Sequence, residues 1–359
     1  MKRSLLTTIV LCLLADGLNA QVPAFGTLKD RYASFFTMGV AISPRALRTQ
    51  ERQLIETQFS GVTAENAMKM GPIHPRPDYF NWAPADSVVA FATSRNMAVR
   101  GHTLVWHSQT PDWLFKGEAD QVPTKEVLLG RIKAHIDSVV GRYKGRVFAW
   151  DVVNEAISDQ KDEFYRSSPF YQICGEEFIQ KAFEWAHAAD PAALLFYNDY
   201  NEIDPIKRGK IIKMVNELRA KGVPIHGIGL QAHWSIFSPS ADALEQTLSD
   251  FSKTGLKIHI TELDVSVYKK EGRRDRIPSD SLTAYTPERE AMQTEMYQRV
   301  FAAFRKYRTS IGSVTFWNIS DRFTWLDNFP VRGRKDHPLL FDPALQPKKA
   351  FGAVMDFKD

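Results

Sequence analysis

Eight short apolar or β-branched runs recur along the chain, each followed by a longer stretch, and this alternation limits the fold more than any single motif. The runs are residues 35–42, 61–66, 98–107, 147–155, 194–201, 225–234, 257–265 and 313–320. Several are apolar almost throughout, as parallel strands buried on both faces should be. Amphipathic stretches of helical spacing lie between them, at 44–59, 124–143, 175–189, 205–221 and 287–307. Pro205 and Pro287 suit a first helical turn, and Gly222 suits a helix end. Eight strand–helix repeats predict an α/β fold, a single (β/α)8 TIM barrel over residues 21–359. An open doubly wound sheet is the alternative. It calls for a Gly-rich phosphate turn after its first strand, and Val40-Ala41-Ile42-Ser43-Pro44 has none. No Ser/Gly-rich linker or internal repeat after Gln21 marks a second domain.

The N-terminus reads differently. Lys2 and Arg3 precede an apolar run from Leu5 to Leu14, and Asn19-Ala20-Gln21 follows. A short positive region, an apolar core and a small residue predict a secretory signal peptide over residues 1–20. The run is shorter than the roughly 20 apolar residues that span a bilayer. A lipid anchor on Cys12 is the other option, but bulky Leu11 precedes it. The mature chain is therefore expected to be secreted or periplasmic and monomeric, with no membrane partner. Once the leader is removed Cys174 stands alone, which leaves no internal disulfide and no cysteine metal site. The formal charge of +4 over 359 residues points to no nucleic-acid partner. No cofactor or metal is expected.

In a barrel of this kind chemistry sits at the C-terminal strand ends. Polar residues gather there. Glu65 and Asn66 close the second run, His107 the third, and Asn154 and Glu155 the fourth. Asn198, Asp199, Tyr200 and Asn201 close the fifth, with Tyr200 a candidate substrate contact. Gln231 and His233 close the sixth, Glu262 and Asp264 the seventh, and Trp317 the eighth. Any one of these could be a structural cap; the whole rim is hard to explain so. Residues two apart on a strand share a face. Glu262 and Asp264 then face alike, as do Gln231 and His233. Asn154 and Glu155 should diverge, and both reach one cleft only if the strand ends or bulges there.

Two carboxylates on opposed strands suit glycosidic cleavage, where one group protonates the leaving oxygen and the other supports the developing positive charge at the sugar. Retention needs the pair about 5–5.5 Å apart and inversion about 6.5–9.5 Å, and sequence spacing measures neither. A chain Glu262–His233–Asp264 would orient an attacking carboxylate and keep it ionised; a purely structural His–Asp pair is the plainer reading. The other carboxyl, Glu155, must then carry a proton, which the charge of Glu262 would favour. Trp82, Trp106, Trp234, Trp317 and Trp325 offer flat faces for sugar C–H groups, although each alone is as readily core.

These residues carry a resemblance. The motifs are Thr63-Ala64-Glu65-Asn66-Ala67-Met68-Lys69, Gly101-His102-Thr103-Leu104-Val105-Trp106-His107-Ser108-Gln109, Trp150-Asp151-Val152-Val153-Asn154-Glu155-Ala156, Gly229-Leu230-Gln231-Ala232-His233 and Ile260-Thr261-Glu262-Leu263-Asp264. In this order they are highly specific, and from about Phe35 to its end the chain resembles the glycoside hydrolase family 10 endo-β-1,4-xylanases. The resemblance implies retaining cleavage of xylan and xylo-oligosaccharides, with Glu155 as acid/base and Glu262 as nucleophile. It implies that Glu65, Asn66, Lys69, His102, Trp106, Gln109, Trp317 and Trp325 line the glycone subsites. Asn154, Gln231 and His233 would hold the reacting sugar and Glu262, with Asp264 behind His233. Asn318 stands where the family usually has Gly, and Arg322 where it usually has Lys. The charged stretch from Lys269 to Arg276 could favour acid-substituted xylan, or simply be a solvated loop.

Three other readings compete. A metal-dependent barrel hydrolase could use His102, His107 and His233, but the odd spacing of the first two argues against convergence. A non-catalytic sugar-binding barrel would ordinarily lack one of the two glutamates. A retaining β-1,4-glucanase on the same fold is the nearest rival.

Overall fold

The computed structural model describes residues 26–358, except 118, 120 and 271–284. The expected leader at 1–20 and most of the charged stretch after Lys269 lie outside the described residues. Among the described residues nine strand segments form: β1 (Thr37–Ile42), β2 (Gly61–Ala64), β3 (Ala98–Trp106), β4 (Ala149–Asn154), β5 (Leu194–Asp199), β6 (Gly227–Leu230), β7 (His233–Ser235), β8 (Lys257–Ser266) and β9 (Ile311–Phe316). Neighbours pair in parallel from β1 through β6. The ring closes through β6–β8, β8–β9 and β9–β1. The expected run 225–234 is split at Gln231-Ala232, where Ala232 takes φ +58°. Its second part, β7, extends the sixth stave by pairing with the end of β8, His233 opposite Asp264. The result is a closed eight-stave parallel barrel, as the alternation requires.

A helix follows each stave. Thr124, Asp204, Ser240 and Thr286 cap four of them, their side-chain oxygens accepting N–H groups of the first turn. Pro205 and Pro287 open their helices as expected. Two expected helices differ. The stretch 44–59 is a short 3-10 turn, Ala46–Arg48, then an α-helix, Glu51–Gln58. Thr49 is extended between them, and its hydroxyl donates to Ala46 O at 3.0 Å, the local competition by which threonine interrupts helices. Gly175 does not begin the helix Glu177–Ala189; it ends a preceding turn, Pro169–Cys174, at φ +62°, a conformation open to glycine at little cost.

Several strands end short of the expected runs, so Glu65, His107, Glu155 and Tyr200 stand on loops just past β2, β3, β4 and β5. That places them at the rim instead of between strands. The barrel interior holds charge beneath that rim. Arg100 Nε donates to Asp151 Oδ2 at 3.1 Å, and its Nη1 lies 2.5 Å from His259 Nδ1. β3 and β8 are not neighbours, so this contact crosses the interior. His102 Nδ1 is 2.9 Å from the same Asp151 oxygen. This buried, mutually paired cluster is the floor of the site, and buried charges persist only when so partnered. Among the described residues no helix is long and apolar enough to cross a membrane.

Candidate active site

Glu155 reaches the cleft through its backbone. The register between β4 and β5 shifts between Asp151 and Val153, β4 stops at Asn154, and Glu155 takes φ +58°. A left-handed conformation costs a non-glycine residue on the order of 1 kcal/mol or more and persists only where surroundings enforce it. Here the Glu155 N–H donates to Asn198 O at 2.9 Å, and Arg166 Nε donates to Glu155 O at 2.9 Å. The turn brings Asn154 and Glu155 to the same side, the deviation from parity that the sequence requires. Three neutral groups then donate to the Glu155 carboxyl: Trp106 Nε1 at 2.8 Å, Gln231 Nε2 at 2.9 Å and Asn154 Nδ2 at 3.1 Å.

Glu262 is 5 % exposed and lies within β8. Asn198 Nδ2 donates to its Oε1 at 2.9 Å, and His233 Nε2 lies 3.2 Å from its Oε2. His233 Nδ1 is 2.9 Å from Asp264 Oδ2, which also accepts Trp325 Nε1 at 2.8 Å. Burial alone would raise the pKa of Glu262. The bond from His233, with His102, His233 and Lys69 nearby, outweighs burial and holds the carboxyl below its usual range. Burial likewise disfavours charge on His233, but Asp264 and Glu262 overcome it and push the imidazole well above its usual value. At neutral pH His233 is therefore a cation donating to two carboxylates.

Asn198 joins the two halves. Its amide donates to Glu262 and to Asn154 Oδ1, the latter at 2.9 Å, while its own oxygen accepts from Thr261 Oγ1 at 2.7 Å. The sequence marked Asn198 only as a strand end and assigned it no role; a polar amide inside the apolar run 194–201 was the available signal. Gly229 makes room for it, since a Cβ there would lie 2.2 Å from Asn198 Oδ1.

The rest of the rim sorts to two sides. On one, Lys69 Nζ donates to Asn66 Oδ1 at 2.9 Å and sits 4.9 Å from the Trp106 ring and 5.8 Å from that of Trp317. Burial pushes the Lys69 pKa down and that of Glu65 up, each opposed by the other's charge. Trp317 packs edge-on to His102 at 5.2 Å, and Trp325 stacks on Phe329 at 5.2 Å. Gln109 is tied in by its carbonyl, which accepts the Gly71 N–H at 2.7 Å. On the other side the Tyr200 hydroxyl bonds Asp159 and accepts Arg166 Nη2 at 2.8 Å. Lys207 Nζ links Asp159 and Asp199 at 2.8 and 2.9 Å. Asp159, Arg166 and Lys207 went unnoticed in the sequence because only the fold brings the loop after β4 against the first turn of the helix Pro205–Ala220. His102 and His107 both approach the cleft but part company there, His102 lying 4.0 Å from Glu262 and His107 4.0 Å from Glu155. Trp82 and Trp234 do not line the cleft: Trp82 stacks on Phe80 at 4.5 Å, and Trp234 is buried with its Nε1 bonded to Glu202 at 3.0 Å. Gln231 touches both carboxylate residues: its side-chain amide donates to Glu155 Oε1 at 2.9 Å and its carbonyl accepts the Glu262 N–H at 3.1 Å.

The Glycosyl hydrolase family 10 profile matches residues 27–357. The chain belongs to glycosyl hydrolase family 10. It is 46 % identical over 338 residues to endo-1,4-beta-xylanase B of Paenibacillus barcinonensis, covering 94 % of this chain and 99 % of that relative. It is 47 % identical over 333 residues to a beta-1,4-xylanase of Dictyoglomus thermophilum, covering 92 % and 91 %. Its fold is similar to a crystal structure of a Paenibacillus barcinonensis xylanase complexed with a conduramine derivative, with TM-score 0.88 and 46 % identity over 92 % of this chain and 98 % of that one. Of the two departures from the family 10 pattern, Asn318 adopts φ +115°, where a glycine would be unstrained, and its Oδ1 accepts the Trp325 N–H at 3.4 Å. Arg322 turns away and donates to Pro343 O at 2.7 Å.

Proposed function

We propose that this chain is an endo-1,4-β-xylanase that hydrolyses internal xylosidic bonds with retention, Glu155 acting as acid/base and Glu262 as nucleophile. The observation that carries the reading is the contrast between the two carboxyls. Glu262 is held ionised by a cationic His233, whereas Glu155 receives only neutral donors. One is prepared to attack, the other to carry a proton in and out.

In the first step Glu155 gives its proton to the glycosidic oxygen while Glu262 attacks the anomeric carbon from the opposite face. The bond to the leaving sugar breaks and an α-linked glycosyl ester forms on Glu262. In the second step Glu155, now a carboxylate, takes a proton from water, the water oxygen attacks the anomeric carbon, and Glu262 leaves. Asn198 and His233 keep the Glu262 oxygens in line. Lys69, Glu65 and Asn66 would bind glycone hydroxyls, with Trp106, Trp317 and Trp325 shaping the walls. Tyr200 stands on the leaving-group side. The chain is taken to act as a monomer, and a polymeric substrate fits the export expected from residues 1–20.

His233 ties the proposal to pH. Its cation lowers the pKa of Glu262, and Glu262 must be ionised to attack. Removing that cation raises the pKa, so more alkaline conditions are needed to ionise the nucleophile. In His233→Ala the acid limb of the kcat/KM profile is expected to move to higher pH, with lower kcat throughout; an unmoved limb would dissociate His233 from Glu262.

The deciding assay compares sugars. Glucose differs from xylose by a hydroxymethyl group at C5, and a site rejects the larger unit by leaving no room for it. Trp325, fixed between Asp264, His233 and Phe329, is a rigid wall of that kind. Xylo-oligosaccharides are expected to exceed matched cello-oligosaccharides in kcat/KM by well over tenfold, more than about 1.4 kcal/mol. Equal rates would transfer the assignment to a β-1,4-glucanase.

A further inference from the structure

The loop between Glu155 and Arg166 folds back on itself. The Ser158 N–H donates to Phe164 O at 3.0 Å, and the Arg166 N–H donates to Ala156 O at 2.7 Å. Arg166 therefore stands beside the peptide that leaves Glu155, and its Nε donates to Glu155 O at 2.9 Å. The far end of the same guanidinium is tied down as well. Its Nη2 donates to Asp159 Oδ2 at 3.1 Å and to the Tyr200 hydroxyl at 2.8 Å. Asp159 is fixed in turn by Lys207 Nζ at 2.8 Å, by Asn201 Nδ2 at 3.0 Å and by the Tyr200 hydroxyl. Lys207, buried in the first turn of its helix, also reaches Asp199 at the end of β5. A chain of charges thus runs from the barrel wall to the Glu155 carbonyl.

The two sides of Glu155 are held differently. Its N–H donates to Asn198 O, a main-chain bond that outlasts the loss of any side chain. Its carbonyl is held by a side chain, that of Arg166. The φ of +58° at Glu155 is uphill for a residue with a Cβ and needs such anchors. Rotation of that backbone would carry the carboxyl with it, away from Trp106, Gln231 and Asn154, which donate to it where the turn now puts it. Burial opposes charge on Asp159, but the bonds from Lys207 and Tyr200 outweigh it and hold the carboxyl well below its usual range. The clamp keeps its charges at mildly acid and neutral pH.

We propose that Arg166 is a positioning residue for proton delivery: by clamping the Glu155 carbonyl against Asp159 and Tyr200, it keeps the acid/base carboxyl on the glycosidic oxygen. The proposal rests on the reading of Glu155 given above. Arg166 acts through Glu155 and not on the sugar. A shift of roughly 1 Å in a reacting group can cost about 10²-fold, so a residue outside the chemistry can still set its rate.

The test is kcat/KM across a series of aryl β-xylobiosides, from dinitrophenyl to unsubstituted phenyl, with the full chain. Every member presents an aryl ring on the leaving-group side, so a general loss of binding or folding lowers all of them alike. Faulty proton delivery instead penalises the poor leaving groups, which need the proton. In Arg166→Ala the phenyl substrate is expected to lose about 30-fold or more and the dinitrophenyl substrate less than about threefold, widening their ratio about tenfold. Lysine keeps the charge but not the fork that reaches three acceptors, so Arg166→Lys is expected to widen the ratio by about threefold. If the alanine variant does not fold, the lysine variant decides on the same criterion. Equal losses across the series, or no loss, would overturn the proposal. Glu155→Ala, measured alongside, separates the two readings. A ratio widened there but unchanged in the Arg166 variants overturns the clamp alone. A wild-type ratio in Glu155→Ala overturns the acid/base reading and the clamp with it.

Discussion

Glu262→Ala is expected to lose xylan turnover by on the order of 10⁴-fold or more, the scale seen when a covalent nucleophile is removed. The loss follows from position. Glu262 is the buried carboxyl that His233 and Asn198 hold in place, and no other described carboxylate receives both. The fold should survive, because alanine leaves space without stranding a charge, although His233 keeps only Asp264 as partner. Added azide should then restore part of the turnover by entering from the vacated face, releasing an α-configured glycosyl azide. Recovery of the β-azide would mean that the nucleophile is elsewhere. A residual rate within about tenfold of the wild type would assign Glu262 to binding alone, since general acid–base and binding contributions remain in such a variant.

Glu155→Ala is expected to divide substrates by their leaving groups. Xylan needs a proton on the departing oxygen, and a positioned acid contributes about 10²- to 10⁴-fold. Aryl xylobiosides with good leaving groups need none, so their first step should stay near the wild-type rate, followed by slow release of the glycosyl ester. Pre-steady-state release of the phenol reports the first step and steady-state turnover the second. Equal losses on both substrate classes would remove Glu155 from proton transfer.

Much of this arrangement was legible because it depends on periodicity. Eight alternations require a closed barrel, and the residues at the strand ends collect on one rim. The Glu262–His233–Asp264 chain was legible for the same reason: two-residue spacing on adjacent staves puts His233 opposite Asp264, as the register of β7 with β8 has it. What escaped depends on backbone conformation and long-range contact. The left-handed turn at Glu155 is enforced by Asn198 and Arg166, from segments remote in sequence, and nothing in the letters Asn-Glu announces it. Asn198 gained its role because Gly229 leaves space against it. The helix expected over 44–59 failed at Thr49, whose hydroxyl competes locally with helical bonding. Trp82 and Trp234 share the residue type of the cleft indoles but are consumed by packing, a distinction that only neighbours can draw.

The most direct measurement is capture of the intermediate. Wild-type protein incubated with an activated 2-deoxy-2-fluoro-xylobioside, whose fluorine slows the second step, should gain the mass of one fluoroxylobiosyl group as activity falls. Peptide mapping should place that group on Glu262. A label on any other carboxylate, or continued hydrolysis of xylan with no covalent adduct at any point, would contradict the double displacement at Glu155 and Glu262.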